Sequence, residues 1–238
     1  MIPIFIITCD RLEVLKQSIA SYNACIGTPF EVVITDFGST YQPTVEFLEE
    51  LEWRGTEVYW EDKITNPDEL SKVGGYIQDY FKSHPKSNYV VTDPDVALYN
   101  IEGDVLEVYS YLLRAYPTFS VVGPMLQIDD IPDCYPYKQK ILSGEMGMHK
   151  HFHSKPVQKV QYNGHDVRYI NAHIDTTFGM YRATFPWRRL SSGNLGARVL
   201  SPYGAHHLDW YIDPSNMSED QEYYTTHANP SIAHWGKL

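Results

Sequence analysis

Cysteine is scarce and shows no pairing pattern: Cys9, Cys25 and Cys134 are odd in number, widely spaced and without a CxxC. That disfavours a disulfide framework and a zinc knuckle and points to a reducing compartment. Basic residues are also few, 19 Lys and Arg against 30 Asp and Glu, for a formal charge of −11. A chain of that sign is repelled by phosphate backbones, which argues against nucleic-acid partners and anionic membrane surfaces. Long apolar runs are missing. The opening Ile2-Pro3-Ile4-Phe5-Ile6-Ile7 stops at Thr8-Cys9-Asp10-Arg11, too short for a transmembrane segment and without a basic leader or cleavage site. It reads as a buried strand, and the expectation is a soluble, cytoplasmic protein. No GxGxxG follows that strand and no HExxH occurs, which disfavours a dinucleotide-dependent dehydrogenase and a zinc protease.

What is present suits one large domain. A chain of 238 residues can bury a sizeable core without covalent staples. The aromatic share of 14%, with 19 Tyr and 5 Trp, fits a cleft that stacks bases and sugars, and fits a core or an interface equally well. Strands at Ile4 to Thr8, Phe30 to Thr35, Glu57 to Trp60 and Tyr89 to Val91 alternate with helices marked by Leu12-Leu15-Ile19, Val45-Leu48-Leu51 and Leu70-Val73-Ile77-Phe81. Pro67 opens the third helix, with Asn66 as its cap. This alternation predicts an α/β fold, a mixed and mainly parallel sheet with helices on both faces.

Farther on, Val105 to Arg114 reads as a helix and Val121-Val122, Tyr169 to Ile174 and Phe178 to Arg182 as strands, while Asp129 to Gly164 reads as long loops. A single domain over 1–238 is expected, with a nucleotide-binding half at about 1–100 and a loopier half at about 101–238 that presents an acceptor.

In open α/β sheets ligands sit beyond the carboxyl ends of the strands, and Thr92-Asp93-Pro94-Asp95 holds that place after the fourth strand. Two carboxylates one residue apart in extended chain can point the same way, and Pro94 stiffens the pair. Hard oxygens suit Mg²⁺ or Mn²⁺ with positions left for phosphate oxygens. Such an ion would supply the cation an acidic chain needs for an anionic substrate. An isolated triplet of this kind is more often a solvated turn, so its position at a strand end carries the argument.

The ordered set of Thr8-Cys9-Asp10-Arg11, Asp36, Gly74-Gly75, Val91-Thr92-Asp93-Pro94-Asp95, Ile128-Asp129-Asp130-Ile131-Pro132, Ile174 to Arg182 and His207-Leu208-Asp209-Trp210-Tyr211 resembles the GT-A glycosyltransferases, in particular small bacterial and algal-virus (chlorovirus) enzymes. The resemblance implies that Thr8, Asp10, Arg11 and Asp36 line the base and ribose pocket. Lys72 and Gly74 would lie near the donor sugar, with Thr92 and Asp93 completing the donor site. Asp93 and Asp95 would hold Mn²⁺ or Mg²⁺ with a C-terminal histidine, His234 first and His207 as the alternative. Asp175 and Asp209 are the candidate catalytic carboxylates. Glu219-Asp220 is a rival for that role, although Ser218 before it also reads as the cap of a final helix. His149-Lys150-His151-Phe152-His153 alternates like a metal-binding strand but contains no carboxylate or cysteine, and it reads as an acceptor-side loop.

The implied reaction moves a sugar from a nucleoside-diphosphate sugar, a UDP-sugar first, to a hydroxyl of a glycan or glycoconjugate acceptor, and the resemblance leans toward retention. A nucleotidyltransferase that makes nucleotide sugars is the rival, disfavoured because the loop after the first strand has no glycine. A catalytically inactive sugar-nucleotide-binding module is the other.

Overall fold

The computed structural model describes residues 1–99, 102–143, 152–188 and 195–228. The first half alternates β1 (Ile2–Thr8), α1 (Leu12–Cys25), β2 (Phe30–Phe37), α2 (Gln42–Trp53), β3 (Glu57–Glu61), α3 (Lys72–Ser83) and β4 (Tyr89–Thr92). Asn66 caps the 3-10 turn Pro67–Ser71 that leads into α3, accepting from the Asp68 N–H at 3.0 Å. Then come β5 (Val96–Leu98), α4 (Val105–Ala115), β6 (Val121–Pro124), α5 (Lys138–Ser143), β7 (Gln158–Tyr162), β8 (His165–Asn171), β9 (Gly179–Tyr181), β10 (Gly196–Val199), β11 (Ala205–His207) and α6 (Glu219–His227).

Nine strands form one sheet in the order β3-β2-β1-β4-β9-β6-β10-β8-β7. The block β3-β2-β1-β4 is parallel, β9 enters antiparallel between β4 and β6, and β10 runs parallel to β6. This is the mixed α/β fold expected from the sequence. Residues of β1 alternate between two cores, as a strand covered on both faces must. Ile4 and Ile6 pack with Leu15 and Tyr22 of α1, Leu48 of α2 and Leu112 of α4, while Phe5 and Ile7 pack with Val73 and Ile77 of α3.

Three details depart from the sequence reading. The strand expected at Tyr169 to Ile174 is β8, which begins earlier and ends at Asn171. The strand expected at Phe178 to Arg182 is the shorter β9. The region read as loops contains α5 and β7. β7 and β8 form a hairpin closed by Asn163-Gly164, both at positive φ (47° and 86°), the turn whose twist matches that of the strands.

Candidate metal centre and donor cleft

Topology brings residues far apart in sequence to the carboxyl ends of β1 and β4. After Asp93-Pro94-Asp95 the chain enters β5, which pairs antiparallel with β11 so that Val96 faces His207. The Leu208 N–H then donates to the Asp95 carbonyl at 2.7 Å. This register sets Asp95 beside His207 and Asp209, and the loop after β1 adds Arg11. Ligand atoms of Asp95, His207 and Asp209 all lie within 4.8 Å of one another, and all three residues are buried. His207 Nδ1 is 3.3 Å from Asp95 Oδ2, and the imidazole stacks on Trp210 at 4.8 Å and 5°. Arg11 donates to both Asp209 oxygens, Nη1 to Oδ2 at 3.0 Å and Nη2 to Oδ1, with Nη2 3.9 Å from Asp95 Oδ2.

The electrostatics follow from burial and proximity. Burial, then the negative Asp209, push the Asp95 carboxyl well above its ordinary value, against the pull of Arg11. Burial also raises the Asp209 carboxyl, but Arg11 outweighs it and leaves Asp209 lowered. Burial lowers the His207 imidazole, which favours the neutral, ligating form. Among the described residues nothing donates a hydrogen bond to the buried Asp95 Oδ1, a cost of about 1–3 kcal/mol unless something positive meets it. Two carboxylates and a neutral imidazole with one unanswered oxygen fit a divalent ion such as Mn²⁺.

Asp93 does not share this cluster. Its half-buried carboxylate accepts the Thr176 hydroxyl, and its N–H donates to the Thr176 carbonyl at 2.7 Å. That pairing fastens the loop before β9 to the end of β4. Asp175, next to Thr176, is half exposed, 3.0 Å from Thr177 Oγ1 and 3.8 Å from Arg198 Nη2. His234 lies outside the described residues, as do His149 and His151; His153 Nε2 is 3.1 Å from the Leu126 carbonyl.

The proposed nucleoside residues form the frame of two loops. Asp10, at φ 53°, accepts the N–H groups of Thr40 at 2.5 Å and Tyr41 at 2.7 Å, and Lys63 Nζ lies 3.5 Å away. Its own N–H donates to Ser39 Oγ at 2.7 Å, while Asp36 accepts the Ser39 N–H at 2.8 Å. Both carboxylates are buried and fasten the loop after β1 to the loop after β2; burial raises Asp36. Thr8, the register partner of Asp36, and Thr92 are both buried, and Thr92 Oγ1 donates to the Asp93 carbonyl at 3.0 Å. Lys72 pairs with Glu61 at 2.5 Å in a half-exposed contact. Gly74 lets the Trp187 backbone approach: a Cβ there would stand 2.7 Å from the Trp187 carbonyl oxygen. Beside it a cavity of about 520 Å³ is walled by Ser71, Gly75, Gln78, Pro186 and Trp187.

Tyr224 and Arg198 were not singled out in the sequence, while Asp220, offered there as a rival catalytic carboxylate, and Trp210, part of a family-like phrase, take other parts. Asp220 caps α1 from the far end of the chain, accepting the N–H groups of Leu12 at 2.9 Å and Glu13 at 3.2 Å. Ser218 caps α6, as expected for a final helix. Tyr224 lies under Arg11, its ring centroid 4.1 Å from Cζ. Trp210 fixes the His207 ring. Arg198 is buried and donates to the carbonyls of His173 and Pro124, each at 3.0 Å. Only Asp220 had a local signal, an acidic residue at a helix start; the others depend on pairings across the fold.

No family model matches the chain, and no curated protein matches it. Solved structures do. S. aureus TarS 1–349 is similar over 94% of this chain and 64% of its own, at 13% identity and a TM-score of 0.50. The same protein in complex with UDP-GlcNAc is similar over 94% of this chain and 65% of its own, at 14% identity and a TM-score of 0.50. The chain thus spans less than two thirds of the protein it matches. At such identity the likeness shows the fold, the mixed α/β architecture of GT-A glycosyltransferases.

Proposed function

We propose that this chain is a metal-dependent glycosyltransferase that moves a sugar from a nucleoside-diphosphate sugar, a UDP-sugar in the first instance, to a hydroxyl of a glycan or glycoconjugate. The observation that carries the proposal is the buried Asp95–His207–Asp209 cluster at the carboxyl ends of β1 and β4, with Asp95 Oδ1 unanswered among the described residues. Asp95, His207 and Asp209 would hold Mn²⁺ or Mg²⁺, and Asp93 would stand at its rim. The ion's contribution when bound is electrostatic stabilisation of the charge that grows on the departing diphosphate.

The chain's own groups do the rest. Asp10 and Asp36 hold the two loops that form the nucleoside side of the cleft, and Thr8, Arg11 and Thr92 lie beneath it. Lys72 and Gly74 border the donor sugar. Asp175 is half exposed beside Asp93's partner Thr176 and is the carboxylate offered to the anomeric carbon or the acceptor. Asp209, engaged with Arg11, serves the centre and reaches the reacting sugar only through it. Incubating the chain with a panel of sugar nucleotides and reading free diphosphate by mass spectrometry tests the proposal. Turnover of one donor that needs Mn²⁺ or Mg²⁺ and stops with chelator supports it; no metal-dependent turnover of any donor refutes it.

A further inference from the structure

Among the described residues Arg11 is the guanidinium that enters the proposed metal centre, and its surroundings hold it there from several sides. Its two Nη atoms span both oxygens of Asp209, and Nη2 also faces Asp95 at 3.9 Å. Its Cζ lies 4.1 Å over the Tyr224 ring. The backbone before it is tied through Asp10 to the loop after β2, and the backbone after it is capped by Asp220. Two buried carboxylates this close cannot both stay ionised without a cation nearby. The Arg11 guanidinium engages both Asp209 oxygens, and among the described residues the oxygen left without a hydrogen-bond partner is Asp95 Oδ1.

We propose that Arg11 is the internal counter-cation of this centre: it holds Asp95 and Asp209 together while no ion is bound, and a divalent ion competes with it for Asp209. The inference rests on the metal reading and gives Arg11 a part in that centre in place of a nucleotide contact. Both Asp209 oxygens are committed to Arg11 and have to be released before an ion can take them. Metal affinity is therefore set by how firmly Arg11 is held, and Tyr224 on α6 is one of the groups that holds it. An Arg11 that merely oriented Asp209 as a ligand would have the opposite effect, since loosening it would then weaken metal binding.

The experiment is a Mn²⁺ titration of the full chain without nucleotide, read by electron paramagnetic resonance of the free ion and by thermal shift. Arg11→Met removes a positive charge about 4 Å from the centre and should bind Mn²⁺ about tenfold more tightly. It should also melt lower without Mn²⁺ and gain more from it than wild type does. Tyr224→Leu leaves every ligand and the charge in place but loosens Arg11, and should bind about threefold more tightly. Should Arg11→Met not fold, Tyr224→Leu decides. Unchanged or weaker Mn²⁺ binding by Tyr224→Leu, or by folded Arg11→Met, against a wild type that does bind Mn²⁺ overturns the proposal alone. A wild type that binds no Mn²⁺ overturns it together with the metal reading.

Discussion

Replacing Asp220 with alanine removes a helix cap supplied from the opposite end of the chain. α1 starts at Leu12 with Arg11 in front of it, and Arg11 gives no side-chain cap. The N–H groups of Leu12 and Glu13 are answered by the two Asp220 oxygens, at 2.9 and 3.2 Å. Loss of an N-cap costs up to about 2 kcal/mol, and the upper end applies because a buried carboxyl answers two N–H groups at once. About 2 kcal/mol at this chain length corresponds to a melting point lower by about 4–8 °C. Asp220→Asn keeps one acceptor oxygen and avoids burying a charge, so it should lose less than half as much.

The pH dependence has a definite sign. Burial raises the Asp220 carboxyl above its ordinary value, against the pull of the Leu12 and Glu13 amides. The folded state therefore holds this proton more tightly than the unfolded chain, and this group's contribution to stability falls as pH rises from the unfolded value through the raised one. Circular-dichroism melts and urea titrations of the three proteins, at pH 4 to 7, measure both effects. An alanine variant within about 0.5 kcal/mol of wild type, inside the range of neutral surface changes, or an asparagine variant as damaged as the alanine one, refutes the capping argument.

Neighbouring glycines of α3 should respond oppositely. Gly74→Ala drives a Cβ to 2.7 Å from the Trp187 carbonyl oxygen and should cost about 1–3 kcal/mol; Gly75→Ala meets nothing within 4 Å among the described residues and should gain up to about 1 kcal/mol, both read by denaturant titration. Lys72→Ala breaks a half-exposed pair with Glu61 and should change stability by less than about 1 kcal/mol, so any large loss of turnover in that variant reports contact with the donor. Arg198→Met leaves the His173 and Pro124 carbonyls without their donor and should cost about 2–4 kcal/mol in a thermal or urea melt.

The parallel half of the fold was legible because each step has a local signature. Apolar runs mark β1 to β4, helical spacing marks α1 to α3, and Asn66 before Pro67 marks the turn into α3. The hairpin β7–β8 was legible too, in Asn163-Gly164, but the surrounding Pro, His and Tyr drew the reading toward loops. The centre was legible only in part. Asp95 could be singled out by strand position and residue type, and His207 entered only as the resemblance's alternative to His234; their meeting depends on the β5–β11 pairing, which no local pattern announces. Asp93 and Asp95 were expected to act as a pair because extended chain alternates; the cluster instead takes Asp95 with residues of β11 and the turn after it, while Asp93 is engaged by Thr176. Asp10 and Asp36 had the right place at strand ends, but a sequence does not say whether a carboxylate faces a ligand or its own loop.

The account's central claim is that Asp95, His207 and Asp209 form a divalent-ion site that serves a nucleoside diphosphate. Calorimetric titration of UDP into wild type and Asp95→Asn, each with Mn²⁺ and with chelator, tests it most directly. The account predicts UDP binding by wild type that depends on Mn²⁺, and loss of at least about tenfold in affinity in Asp95→Asn, whose buried ligand charge is gone. UDP binding of equal strength with chelator, or in Asp95→Asn with Mn²⁺, contradicts it.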